Sequence, residues 1–176
     1  MFAYLLTLIG VLGHAIPHAW LPFTAVGGSL LYFGARRPLW QGIIPVGILA
    51  ASDYYLTTHV YGFPFAVQGY LLTWAWYAAV IVLGAILLHS HTSVARIASA
   101  TLFSSTTFFL VSNYAVWAGQ PGMYPHTFSG LLACYGAGLP FYRNDVVSTA
   151  IVAGLVFGGP ILLKQMEAHK EAETSL

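Results

Sequence analysis

The apolar runs of this sequence are long and continuous rather than alternating, and that pattern restricts the fold more than any motif in the chain. A bilayer-spanning helix needs about 20 largely apolar residues, and several windows meet or approach that length. Composition points the same way: charged residues make up 6% of the chain, against roughly a quarter in ordinary soluble domains. Hydrophobic residues reach 58% and aromatic residues 15%, so a chain of 176 residues could not cover a water-facing surface with charge. Backbone polar groups in lipid must be satisfied internally, which leaves helices or a closed barrel, and continuous runs exclude the barrel. The expected fold is all-α, a polytopic helical bundle in a membrane.

Proline and glycine punctuate the runs. Spans are expected over 1–17, 22–36, 39–58, 65–89, 94–118 and 145–163, with a polar C-terminal tail over 164–176. The first two are short, so tilt or an incomplete crossing is open there. No internal repeat or domain boundary is visible, and residues 1–163 form a single transmembrane domain. Residues 126–142 are apolar enough to insert, yet Gly130, Gly136, Gly138 and Pro140 interrupt them. They are expected to be a short re-entrant or surface segment, giving six spans, or seven if they cross. No Lys or Arg precedes the first run, which is therefore a helix of the mature chain rather than a cleaved signal peptide.

Charge sets the orientation. Arg36, Arg37 and Arg96 fall on the side of the N-terminus, while the opposite loops, 18–21, 59–64 and 119–125, carry no Lys or Arg. The positive-inside rule places the N-terminus in the cytoplasm of a multi-pass protein of the cell (inner) membrane. A formal charge of +1 without a basic patch excludes nucleic acid as a partner. Cys134 is the only cysteine, so no intrachain disulfide can form.

Counting from helix ends, His14, Asp53, Gln68 and Asn113 each lie roughly 5–8 Å below the outer surface at about 1.5 Å per residue. The outer loops add His18, Trp20, His59, Tyr61, Trp117, Tyr124 and His126. Apolar walls with a few placed polar groups describe a ligand pocket. Its candidate lining is His14, His18, Trp20, Asp53, His59, Gln68, Asn113, Trp117, Tyr124 and His126. Asp53 is its sharpest element, because an acid inside the membrane usually faces a cavity or a partner. Each feature also has a plainer explanation. Trp and Tyr form interfacial belts, Gln68 and Asn113 can bond neighbouring helices, and Asp53 can be hydrated near the surface.

A metal is not expected. Pro17 interrupts the helix between His14 and His18, and His89 and His91 do not share a helical face. Zinc-type Cys/His spacing is lacking too. Ser104-Ser105-Thr106-Thr107 is expected to pack a helix rather than do chemistry. Without a nucleophile–base pair, a P-loop or a dinucleotide fingerprint, the chain is expected not to be an enzyme. No cofactor is assigned.

A group of residues then points to a family. His18 with Pro22 and Gly34, Ser52-Asp53, Asn113, and the block Tyr124-Pro125-His126-Thr127 leading to Leu131-Leu132-Ala133-Cys134-Tyr135 and Leu139-Pro140-Phe141-Tyr142-Arg143-Asn144 carry the signal. Together they resemble an uncharacterised bacterial family of small membrane proteins described as transport proteins. That family is similar in helical layout to the substrate-binding S components of energy-coupling-factor vitamin transporters. The resemblance covers roughly 18–160, and Tyr124–Asn144 is its specific part. It implies six helices, cytoplasmic termini and a vitamin pocket closed by outer loops. One departure matters: Thr7 follows Ala3 and His14 follows Gly10, so the alanine-x-x-x-alanine docking pattern of the first helix is missing. The resemblance names no ligand.

The expected function is a membrane ligand-binding or transport protein for a small vitamin-like or aromatic solute. The alternative is a non-catalytic accessory subunit of a larger respiratory or photosynthetic complex, with other membrane subunits as partners. A membrane enzyme or haem protein rests on the histidines alone and ranks last. The orientation is testable with single cysteines at positions 62 and 37 in a Cys134→Ala background. Reagent applied outside intact cells or spheroplasts should label position 62 and spare position 37, and the reverse pattern would invert the topology.

Overall fold

The computed structural model describes residues 1–15, 24–119 and 123–174, and every regular element among them is helical. Helix α1 is Phe2–Ala15 and α2 is Val26–Arg36. A 3-10 turn, Leu39–Gly42, leads into α3, Ile43–Tyr55, which ends in a π turn at Leu56–Val60. Helices α4, Val67–Leu88, and α5, Val94–Gly119, follow. Helix α6, Phe128–Ala153, continues through a π turn at Gly154–Gly158 into α7, Gly159–Thr174. Three stretches are long and apolar enough to cross a membrane: Val67–Leu88, Val94–Gly119 and Phe128–Glu167. Only 33%, 28% and 28% of their most apolar windows are buried inside the protein, so their outward faces are apolar as well. A soluble helix buries an apolar stripe and turns a polar face outward. Helix α1 is apolar but, at 14 residues, shorter than a full span.

Helix α2 is the central pillar. Nine of its eleven residues are buried, and Leu30, Leu31 and Phe33 are fully enclosed. Two glycines bring it against α4. A methyl group added at Gly34 would fall 1.8 Å from the Ile81 carbonyl oxygen, and one at Gly84 would fall 2.1 Å from that of Leu31. Backbone therefore lies directly on backbone. Where lipid tails are as apolar as Leu, such close packing and its dispersion contacts are what hold helices together. Helix α1 is tied to this pair by the Ser29 hydroxyl, which donates to the Ala25 and Leu6 carbonyls at 2.6 and 3.2 Å.

Arg36, Arg37 and Arg96 gather at one end of the bundle. The Arg37 guanidinium sits 4.7 Å over the Tyr4 ring, and the Tyr4 hydroxyl donates to Gln41 Oε1 at 2.6 Å. Arg36 lies 5.8 and 5.9 Å from the ring centres of Tyr32 and Phe157. Nearby, His89 Nδ1 pairs with the Ala35 carbonyl at 3.0 Å and Arg96 Nη1 donates to the Leu87 carbonyl at 3.2 Å.

The segment 126–142 corrects the sequence reading. It is not a short separate segment, and no break separates it from a span beginning at 145: from Phe128 onward it is the first half of the continuous helix α6. Thr127 caps that helix, its hydroxyl accepting from the Gly130 N–H at 3.2 Å. The glycines that looked like breaks serve packing. Gly138 is buried where a methyl group would meet Asn113 Oδ1 at 2.4 Å, so its absence lets α5 and α6 close on each other. Pro140 removes one backbone donor without ending the helix, which neighbouring helices commonly tolerate in membrane-type helices. The polar tail likewise continues as helix through Thr174.

Glycine contacts of this kind give a graded test. Gly84→Ala should cost about 1–3 kcal/mol, the usual penalty for overpacking, and lower the unfolding temperature in detergent. Gly136→Ala, with nothing within 4 Å of the added carbon, should be neutral or slightly stabilising. Equal effects would mean that α2 and α4 do not touch as described.

Candidate functional site

Asp53 sits near the C-terminal end of α3 and is 6% exposed, so it faces inward as the sequence suggested. Helix α4 supplies the wall opposite. Trp74 Nε1 donates to Asp53 Oδ2 at 3.0 Å, and Tyr77, one turn along, is close enough to feel the carboxylate charge. The π turn after α3 carries Thr57, whose hydroxyl donates to the Asp53 backbone carbonyl at 2.7 Å and also meets the Tyr70 hydroxyl. A π turn widens the helix at this point and is frequent at functional sites.

Around these groups the rings are ordered. Phe65, Tyr70 and Trp74 form a stack whose planes lie 16–27° apart, with centroids separated by 4.9 Å (Phe65–Tyr70), 6.1 Å (Tyr70–Trp74) and 6.3 Å (Phe65–Trp74). Tyr54 meets Phe65 edge-on at 5.1 Å, and Tyr55 stacks on His59 at 5.3 Å. All three rings of the stack are half-buried, so their faces and edges are partly open beside an enclosed carboxylate. Such a set can hold a flat solute by stacking and fix it with a charge-assisted hydrogen bond.

The remaining candidates divide. His59 belongs to the Asp53 group through Tyr54 and Tyr55, and Gln68 is exposed at the start of α4. Asn113 and His126, expected beside Asp53, engage other partners. The Asn113 amide donates to the Phe109 carbonyl at 2.8 Å and its backbone carbonyl accepts from Cys134 Sγ at 3.3 Å, which joins α5 to α6. Trp117 Nε1 donates to the Pro125 carbonyl at 2.9 Å, His126 packs on the Trp117 ring at 5.4 Å, and Tyr124 is half-buried. This second set ties the loop after α5 to the start of α6. His18 and Trp20 lie outside the described residues, as does the side chain of His14.

A cavity of about 170 Å³ opens between α4 and α5, lined in part by Gly69, Leu72, Trp76, Phe108 and Ser112. None of the candidates among the described residues lines it. Trp74 and Trp76, two residues apart, point to different sides of α4, so this cavity lies across that helix from Asp53. Among the described residues no group of three or more His, Cys, Asp or Glu side chains could hold a metal ion. Sequence inspection passed over Thr57, Tyr70 and Trp74, because nothing in their spacing distinguishes them from interfacial aromatics. The one available signal was Asp53 itself, which needs a donor from the helix facing it.

The Asp53–Trp74 bond has a stability consequence. Asp53→Ala leaves the Trp74 N–H without that acceptor and should cost about 1–3 kcal/mol. Asp53→Asn keeps an oxygen there and should cost less. Thermal unfolding in detergent ranks the two, and an equal loss would show that the hydrogen bond is not what the carboxylate contributes.

No curated protein and no solved structure matches this chain. A family profile does match, over residues 1–171, and the chain belongs to DUF6580, a family of unknown function.

Proposed function

We propose that this is an integral membrane protein of the cell membrane that binds a small flat solute, aromatic or vitamin-like, between α3 and α4. The observation that carries this reading is a buried carboxylate beside the half-open stack of Phe65, Tyr70 and Trp74. The solute's ring would continue the stack and one of its N–H or ammonium groups would face Asp53. The bundle is proposed to cross the membrane six times, α6 and α7 counting as one rod. Its basic end, with Arg36, Arg37 and Arg96, is proposed to face the cytoplasm together with the N-terminus, and Asp53 to open toward the outside.

One observation favours the accessory-subunit alternative. Arg143 is exposed on α6. The hydrogen bond at 2.9 Å between Thr106 and Tyr142 sets that stretch level with the middle of α5. In a bilayer a lone guanidinium at that depth costs roughly 2.5–3.5 kcal/mol, and an acidic group on a partner subunit would offset it.

Purification in mild detergent, followed by mass spectrometry of co-eluting small molecules and proteins, separates the two readings. A stoichiometric small molecule that is lost from Asp53→Asn, with the fold intact, is the expected result. A fixed set of protein partners, unchanged in Asp53→Asn and lost in Arg143→Leu, would replace the solute reading with the subunit one.

A further inference from the structure

Four buried oxygens outside the Asp53 site lack a hydrogen-bond partner among the described residues: Thr101 Oγ1 and Ser105 Oγ on α5, and Asp145 Oδ2 and Thr149 Oγ1 on α6. Their positions are related. Helices α5 and α6 run antiparallel, with Cys134 against Asn113, Tyr135 bonded to the Leu110 carbonyl at 2.8 Å and Tyr142 to Thr106. Continuing that register brings Asp145 level with Ser105, whose hydroxyl faces its carboxyl. One turn further, Thr149 comes level with Thr101. Residues four apart share a helix face, so the four residues lie on the facing sides of one seam. Helix α2 covers it: a methyl group added at Gly27 would fall 2.5 Å from Thr149 Oγ1, and the Ser148 hydroxyl accepts from the Thr24 N–H at 3.2 Å. Thr101, Ser105 and Thr149 are 3%, 1% and 0% exposed.

These hydroxyls differ from several others among the described residues. A Ser or Thr inside a helix usually donates to the carbonyl four residues back. Thr7, Ser29, Thr57 and Thr107 do so here, at 2.6–2.9 Å. Thr101, Ser105 and Thr149 leave that bond unmade and keep their oxygens for the seam. Leaving buried polar groups unpaired is costly, and a bare carboxylate more so. A proton on Asp145 would give one donor and leave both threonines as they are. A divalent ion would ask for six or more oxygens and more negative charge. One carboxylate and three hydroxyl oxygens match a hard monovalent cation, whose charge Asp145 balances.

We propose that Thr101, Ser105, Asp145 and Thr149 form a sodium-ion site in the α5–α6 seam beneath α2. It stands independently of the solute reading. Arg143, on the same helix, is exposed and two residues from Asp145, a spacing that turns it to another face and leaves the seam to the ion.

The test uses the purified full chain in detergent. Radioactive sodium binding and unfolding temperature are measured while NaCl replaces choline chloride or KCl at constant ionic strength. Saturable binding is expected, with a rise in unfolding temperature for sodium that potassium and choline do not give. Thr149→Val, which keeps shape and removes one oxygen, should weaken the apparent sodium affinity by roughly tenfold or more. Asp145→Asn should abolish the response, and Asp53→Asn should leave it intact. No sodium-specific binding to the folded wild-type chain, or an unchanged affinity in Thr149→Val, overturns the site. An Asp145→Asn protein that is more stable than wild type in every salt would show instead that Asp145 is a neutral structural acid.

Discussion

The close approach of backbone to backbone where Gly34 meets Ile81 and Gly84 meets Leu31 is the constraint on which the other contacts depend. It can exist only because neither position carries a side chain. With α2 pressed to α4, Leu30, Leu31 and Phe33 fall among Val80, Ile81 and Leu88, and the core closes around them. A bundle whose outward faces are apolar gains little from excluding water between helices, so fit has to supply the cohesion. Displacing α2 by the width of one methyl group would open both its α4 and its α6 sides.

Both candidate sites follow from that placement. Helix α4 is rigidly seated, so it can present Trp74 and Tyr70 to Asp53 on one side while Trp76 packs on Phe108 of α5 at 4.2 Å on the other. On the far side of α2, Gly27 and Gly28 admit Thr149 and Val152 of α6 and so let α2 cover the α5–α6 seam. The carboxylates Asp53 and Asp145 thus stand at different levels and against different helices. Asp53 sits among rings suited to a flat organic group, and Asp145 among hydroxyls suited to a small hard ion.

Much of this layout was legible in the sequence because hydropathy and punctuation are local properties. The apolar runs, the ends marked by Pro38 and Gly119, the shared end of Arg36, Arg37 and Arg96, and the inward Asp53 all follow from composition along the chain. What depends on facing partners was not legible. Gly138 and Pro140 look alike to a search for breaks, but one accepts the Asn113 side chain and the other is simply tolerated in α6. Counting residues from helix ends placed Asp53 and Asn113 at similar depth without saying that Asn113 turns toward Cys134 and Gly138. Asp145 was passed over because it was taken as the edge of a span, whereas in the continuous α6 it lies well inside the helix, opposite Ser105.

The central claim is a bundle of six rods in which α6 and α7 form a single crossing, so that both ends of the chain lie on the cytoplasmic side of the membrane. Fusion of paired reporters after Leu176, one active only in the cytoplasm and one only outside it, tests this directly. Activity of the cytoplasmic reporter alone is the expected result. Activity of the external reporter would require an odd number of crossings or an inverted bundle, and either contradicts the arrangement.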